Sequence, residues 1–190
     1  EYRRQRQMCI RDRVHPGKGV IYIPSYTFPT FLTITKAEDP DAHFRYTGGV
    51  TFGPNGPRGL PLLKPPYGRI TAIDLNAGDH AWMQPNGDGD RYRNHPMLRE
   101  LDLPPLGGEG RGGPVLTKTL LIHALTAGGT DGGPRLVAYN KATGEPVGSV
   151  DLPGGAIGTP MTYMLDGVQY IALTVGGADA PSVVAFRAPQ

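Results

Sequence analysis

Two strand–turn–strand units of one design stand 66 residues apart in this chain. The first runs Ala72-Ile73-Asp74-Leu75-Asn76-Ala77-Gly78-Asp79-His80-Ala81-Trp82 and ends on the sole Trp. The second, Ala138-Tyr139-Asn140-Lys141-Ala142-Thr143-Gly144-Glu145, has Gly148 where the first has Trp82. Each residue type has a physical job. Ala72 is small enough for a layer where sheets pack closely, and Asp74 can accept hydrogen bonds from the backbone of the turn after it. Gly78 supplies the positive φ that reverses the chain. Trp82 can fill a gap between neighbouring sheets provided its indole N–H finds an acceptor. A repeated strand–turn–strand unit points to stacked sheets, hence to a propeller-like all-β protein.

Gly and Pro, at 28 and 20 residues, are frequent enough to raise the question of disorder. They alternate with short apolar runs, Val20–Ile23, Leu120–Leu125 and Tyr170–Val175, which is the pattern of strands punctuated by turns. Val115–Leu125 is β-branched and flanked by Gly and Pro, so it reads as a strand pair. Arg135–Tyr139 and Val147–Leu152 read as strands. Thr159–Met164 and Val168–Val175 read as a hairpin about Asp166-Gly167, and Ser182–Phe186 as a last strand. The Pro-rich region Ser25–Pro66 shows no sustained period and is expected to be a long excursion with little regular structure.

A net charge of +2 without long charged blocks beyond residue 13 gives no support to a nucleic-acid or membrane-surface role. No apolar run reaches the roughly 18 residues that a spanning helix needs. Cys9, the single cysteine, excludes an internal disulfide. Residues 1–13 carry five Arg and no Gly or Pro, and Met8–Arg13 resembles translated sequencing-adapter read-through. They are expected to be a non-native scar or a disordered tail, with residues 14–190 as a partial β-propeller.

Several chemistry-bearing patterns fail on context. Gly108–Gly113 matches GxGxxG but lacks the strand before and the helix after. Asn86, Asp88 and Asp90 open like a Ca²⁺ loop, but Arg91 takes the Gly position and Met97 the bidentate Glu position. His123, in an apolar run, reads as a satisfied core or strand-edge residue. Ser25 and Ser182 lack a nucleophile-elbow context.

The AxDxxxGxxxW unit resembles the tryptophan-docking motif of pyrroloquinoline-quinone (PQQ)-dependent dehydrogenases, which are eight-bladed propellers when complete. Further matching stretches are Gly19–Pro24, Lys64–Asp74, Gly112–Thr117, Leu152–Tyr163 and Asp166–Ile171. Their order is similar to the C-terminal third of the glucose and polyol branch. The resemblance implies the closing blades of such a propeller, with PQQ and Ca²⁺ as cofactors. It also implies a sugar, polyol or alcohol substrate, a quinone or cytochrome acceptor, and a periplasmic or exported location.

The resemblance places the metal ligands and the catalytic Asp upstream, so no catalytic or metal residue is expected here and the chain alone is expected to be inactive. What it assigns to this chain is cofactor-lining backbone at Gly112, Gly113, Gly176 and Gly177, where a Cβ would keep a planar ligand away. Arg111 falls where some relatives carry an aromatic that flanks the cofactor, and Tyr26 falls near a polar cofactor contact. The competing expectation is a non-catalytic propeller scaffold or binding protein built from the same repeat.

Overall fold

The computed structural model describes residues 13–52, 56–110, 112–128, 132–176 and 180–187. Two compact units divide the chain, residues 1–26 with 66–190, and residues 27–65. β1 (Arg13–His15) and β2 (Val20–Tyr26) open the first unit, and β3 (Thr30–Lys36) and β4 (Tyr46–Phe52) form the hairpin of the second. β5 (Gly68–Asp74) and β6 (Asp79–Pro85) then complete a four-stranded sheet in the order β1-β2-β5-β6. β7 (Val115–Leu116), β8 (Leu120–Leu125), β9 (Arg135–Asn140) and β10 (Pro146–Asp151) repeat that meander as β10-β9-β8-β7. β11 (Met161–Leu165), β12 (Val168–Val175) and β13 (Ser182–Arg187) make a third, three-stranded sheet. The fold is all-β, made of successive propeller blades that do not close into a ring. One turn of helix at Asp90–Arg93 is the sole α-helix among the described residues.

The core lies in the seams between sheets. Strand side chains alternate between faces, and β8 uses both. Leu121 and Leu125 join Tyr22, Ile70 and Ala72 of the first sheet, while Ile122 and Ala124 join Leu173 and Val175 of the third. A strand covered on both faces reads as a continuous apolar run, which is why Leu120–Leu125 lacks a two-residue period. Each buried aliphatic contributes roughly 1.5–3 kcal/mol relative to exposure.

The repeat unit has the geometry its residues call for. Asp74 Oδ1 accepts from the backbone N of Asn76 at 2.8 Å and of Ala77 at 3.3 Å. Gly78, at φ 73°, donates its N–H to the Asp74 carbonyl. In the second unit Asn140 Oδ1 accepts from Ala142 N at 2.9 Å, and Gly144, at φ 78°, donates to the Asn140 carbonyl. The Trp82 indole N–H crosses to the second sheet and donates to the Lys141 carbonyl at 3.1 Å. The Tyr22 hydroxyl donates to that same carbonyl at 3.1 Å. A Cβ on Gly144 would stand 2.5 Å from the Trp82 ring, so Gly144 serves both its own turn and the aromatic that docks on it. Gly148, by contrast, faces open space on a strand exposed throughout. The second seam closes on Leu152 and Ala156, with the partly buried Phe186 packed against that cluster.

The region Ser25–Pro66 differs from the sequence expectation. Instead of an irregular excursion it carries the seven-residue β3–β4 ladder, from Thr30↔Phe52 to Lys36↔Tyr46. β3 alternates Leu32 and Ile34 with Thr33 and Thr35, a β-branched pattern that holds a strand despite the prolines on either side. The Asp166-Gly167 turn has both residues at positive φ, 49° and 76°, as a two-residue hairpin loop of primed type requires.

Candidate functional site

Strand direction sorts the connections of the first unit into two ends. At one end lie tight turns, among them Leu75–Gly78, Thr117–Thr119 and Asp166-Gly167. At the other β2, β6, β8, β10 and β12 terminate, and the longer connections run. Tyr26, Gly112, Gly113 and Gly176 all stand at this second end. Arg111 and Gly177 lie outside the described residues.

The glycines there let backbone approach backbone. A Cβ on Gly112 would meet the Gly158 carbonyl at 2.7 Å, and one on Gly154 would strike the carbonyl of Gly176. Gly176 N donates to the Gly155 carbonyl at 2.7 Å, and Gly113 N donates to Thr159 Oγ1 at 3.1 Å. Gly112 and Gly113 are buried by these contacts, while Gly176 stays half-buried. A third crossing sets Gly68 against Gly107 and Gly108. Three pairs of glycine-bearing segments thus stack where the sheets meet.

Beside Tyr26 a cleft of about 190 Å³ is lined by Asp88, Asp90, Tyr92, Glu109 and Thr126 among others. Burial raises the Tyr26 pKa, and the Tyr92 and Glu109 side chains add to it against the opposing charge of Arg91. Thr126 Oγ1 donates to the Glu109 carbonyl at 2.8 Å, and Tyr67 packs on Tyr92 at 4.8 Å between centroids. The cleft offers carboxylates and phenols to hydroxyl groups. Of these the sequence marks Tyr26 as a cofactor-side residue and Asp88 and Asp90 only as part of a failed Ca²⁺-loop pattern, while Tyr92, Glu109 and Thr126 lie in connections with no motif spacing.

Behind the glycine crossings lies a buried polar layer that the sequence also concealed. Tyr139 Oη donates to Asn86 Oδ1 at 2.9 Å, and burial pushes the Tyr139 phenol well above its usual range. At the edge of this layer, and partly open to solvent, Arg135 pairs with Asp88 at 3.1 Å. His123 is fully buried, as its apolar run implies, and it is under-satisfied, since among the described residues its ring nitrogens have only a weak contact with the Gly113 backbone. Its Nε2 sits where a Cβ on Gly110 would be.

Burial pulls the His123 pKa from 6.5 down to about 4, with the nearby Gly113 backbone offsetting part of it. The folded chain thus keeps the ring neutral in a range where the unfolded chain protonates it. On that account stability holds above about pH 7, falls as pH drops from 6.5 toward 4, and levels below. Between pH 7 and pH 5 the loss is about 2 kcal/mol. His123→Leu is expected to flatten that slope, measured by thermal melts at the two pH values. An unchanged slope would remove His123 as its source.

Comparison with known proteins places this arrangement. The family described as PQQ, glucose/ethanol/alcohol dehydrogenase, β-propeller domain, matches residues 25–171. The glycerol dehydrogenase large subunit of Gluconobacter thailandicus is 39% identical over 121 residues, 63% of this chain and 16% of that protein. The quinoprotein glucose dehydrogenase of Escherichia coli K12 is 36% identical over 135 residues, 68% of this chain and 16% of that protein. The chain therefore spans about a sixth of the length of these relatives. A europium-containing methanol dehydrogenase superposes with a TM-score of 0.58 at 20% identity, over 87% of this chain and 24% of that one. The quinohemoprotein alcohol dehydrogenase of Comamonas testosteroni gives 0.55 at 24%, over 87% and 21%. With its docking repeat, its unclosed blades and a family match over most of its length, the chain belongs to the β-propeller domain family of PQQ-dependent glucose/ethanol/alcohol dehydrogenases.

Proposed function

We propose that this chain is the C-terminal part of a PQQ-dependent dehydrogenase that oxidises a sugar, polyol or alcohol and passes electrons to a quinone or cytochrome. The observation that carries the proposal is the family match over residues 25–171. The reading treats residues 14–190 as a partial propeller and residues 1–13 as a non-native or disordered tail, of which Arg13 pairs with Tyr22 at the start of β1. In it the whole protein is exported to the periplasm, and the chain alone is inactive. Relatives named for glucose and for glycerol support a polyhydroxylated substrate.

PQQ, when bound, would supply the oxidant for the alcohol carbon, and a metal ion beside it would supply electrophilic polarisation. The residues present fit that group in part. Tyr26 and Gly176 keep surface at the glycine-crossing end, and Arg111 and Gly177 adjoin described residues of that end in sequence. Gly112 and Gly113 are buried against Gly158 and Thr159, so their share is to hold the connection in place beneath a ligand. The Tyr26 cleft, at about 190 Å³, is too small for the cofactor and suits a hydroxylated substrate group. Among the described residues no cluster of three His, Cys, Asp or Glu could hold a metal.

The test uses the complete protein stripped of cofactor. Adding PQQ with Ca²⁺ is expected to shift the quinone absorbance and to start dye-coupled oxidation of glucose, glycerol or ethanol. An unchanged absorbance at saturating protein would sink the enzyme reading and leave the scaffold.

A further inference from the structure

At the tight-turn end, opposite the glycine crossings, the first two sheets part into a cleft of about 450 Å³. That volume lies in the roughly 300–1,000 Å³ range of small-molecule sites. Its walls are apolar, with Tyr22, Trp82 and Leu120 prominent, and three lysines stand on it, Lys18, Lys118 and Lys141. Each lysine comes from a different turn or strand end, so the cluster is made by the packing of the two sheets. No acidic side chain lines the cleft among the described residues.

The aromatic wall is fixed in place. Tyr22 and Trp82, 5.8 Å apart between ring centroids, both spend their polar tips on the Lys141 carbonyl, and the half-buried Trp82 ring faces the opening with Tyr22, 2% exposed, packed behind it. Lys141 is 7% exposed, and its Nζ donates to the Thr117 carbonyl at 3.0 Å, one residue before Lys118. Lys18 and Lys118 are exposed and free to swing onto a bound group. Desolvation and the charge of Lys18 both lower the Lys141 pKa, a cost that a negative charge in the cleft would reverse.

We propose that this cleft is a binding site for an aromatic carboxylate, its ring against Trp82, which Tyr22 backs, and its carboxylate among Lys18, Lys118 and Lys141. A flat body suits an aromatic wall, and an anion suits three cations without a countercharge. The site is independent of the PQQ reading and lies at the other end of the blades.

Trp82 is the sole Trp, so its indole N–H gives one cross-peak in the spectrum of ¹⁵N-labelled protein, and that peak reports on the cleft wall. The full chain is titrated with 2-naphthoate and, separately, with the neutral 2-naphthalenemethanol. Saturable displacement of the peak by the carboxylate is expected, with affinity roughly three- to ten-fold above the alcohol at low salt and converging with it at high salt. Lys18→Gln with Lys118→Gln is expected to bring the carboxylate down to the level of the alcohol while the ligand-free peak stays put. No saturable shift, or equal affinity for the two probes in the unaltered chain, would overturn the proposal whatever the variants do. Undiminished carboxylate binding in a double variant whose free peak is unmoved would overturn it as well.

Discussion

Gly68→Ala is expected to cost about 3 kcal/mol and to lower the thermal midpoint by roughly 6–12 °C. The added methyl would land on the Gly108 backbone, and a Cβ on Gly107 would in turn land on Gly68. Neither strand can yield cheaply. Asn86 N donates to the Gly68 carbonyl at 2.9 Å, Gly108 N to the Asn86 carbonyl at 2.6 Å, and Gly107 N to the Gly87 carbonyl at 3.0 Å. Making room means stretching several backbone hydrogen bonds around the buried Asn86 side chain, which also holds Tyr139. Gly78→Ala is the control. It sits at φ 73° with nothing within 4 Å of its Cβ, so only conformational strain of about 1 kcal/mol is at stake. Denaturant melts of the two variants should separate them by about 2 kcal/mol, and equal costs would refute the steric account.

Trp82→Ala is expected to cost about 3–4 kcal/mol, the range for emptying a large aromatic site. Trp82→Phe should cost only about 1 kcal/mol, because Tyr22 still donates to the Lys141 carbonyl and the ring still covers Gly144. The shared acceptor makes the pair a coupled one. Trp82→Phe and Tyr22→Phe should each be mild, while together they strip the Lys141 carbonyl of both donors and should exceed their sum. A simply additive double variant would mean that the carbonyl finds a replacement, such as water, at no cost.

The parts of the fold legible in the sequence were those where one residue type has one physical use. Asp74, Gly78 and Ala72 each took the role their chemistry implies, and the Asp166-Gly167 turn followed from its two positive φ values. Trp82 was legible as a plug, but its acceptor was not, since nothing in the string points 59 residues ahead to a backbone carbonyl. The β3–β4 hairpin was obscured because Pro-rich flanks outweighed a short Thr-Ile alternation. At the candidate site the sequence reads the glycines as backbone lining a planar cofactor. The backbone neighbours of Gly112 and Gly176 were not legible, because a missing side chain says that something comes near without saying what. In the described residues Gly112 approaches Gly158, and Gly176 approaches Gly154. His123 marks the limit in another way, its burial being plain from its neighbours and its poorly satisfied ring nitrogens visible only in three dimensions.

The pairing of β2 with β5 carries a last consequence. Tyr26 and Gly68 stand directly opposite each other at the end of that ladder. Residues 27–65 therefore leave and rejoin the sheet at the same rung, and its seven paired positions are formed by β2 and β5 alone. The blade tolerates a cassette there. An ancestral gene could lengthen, shorten or replace that segment and leave every rung of the blade in register, so variation among such chains should concentrate at this port and spare the strands on either side of it.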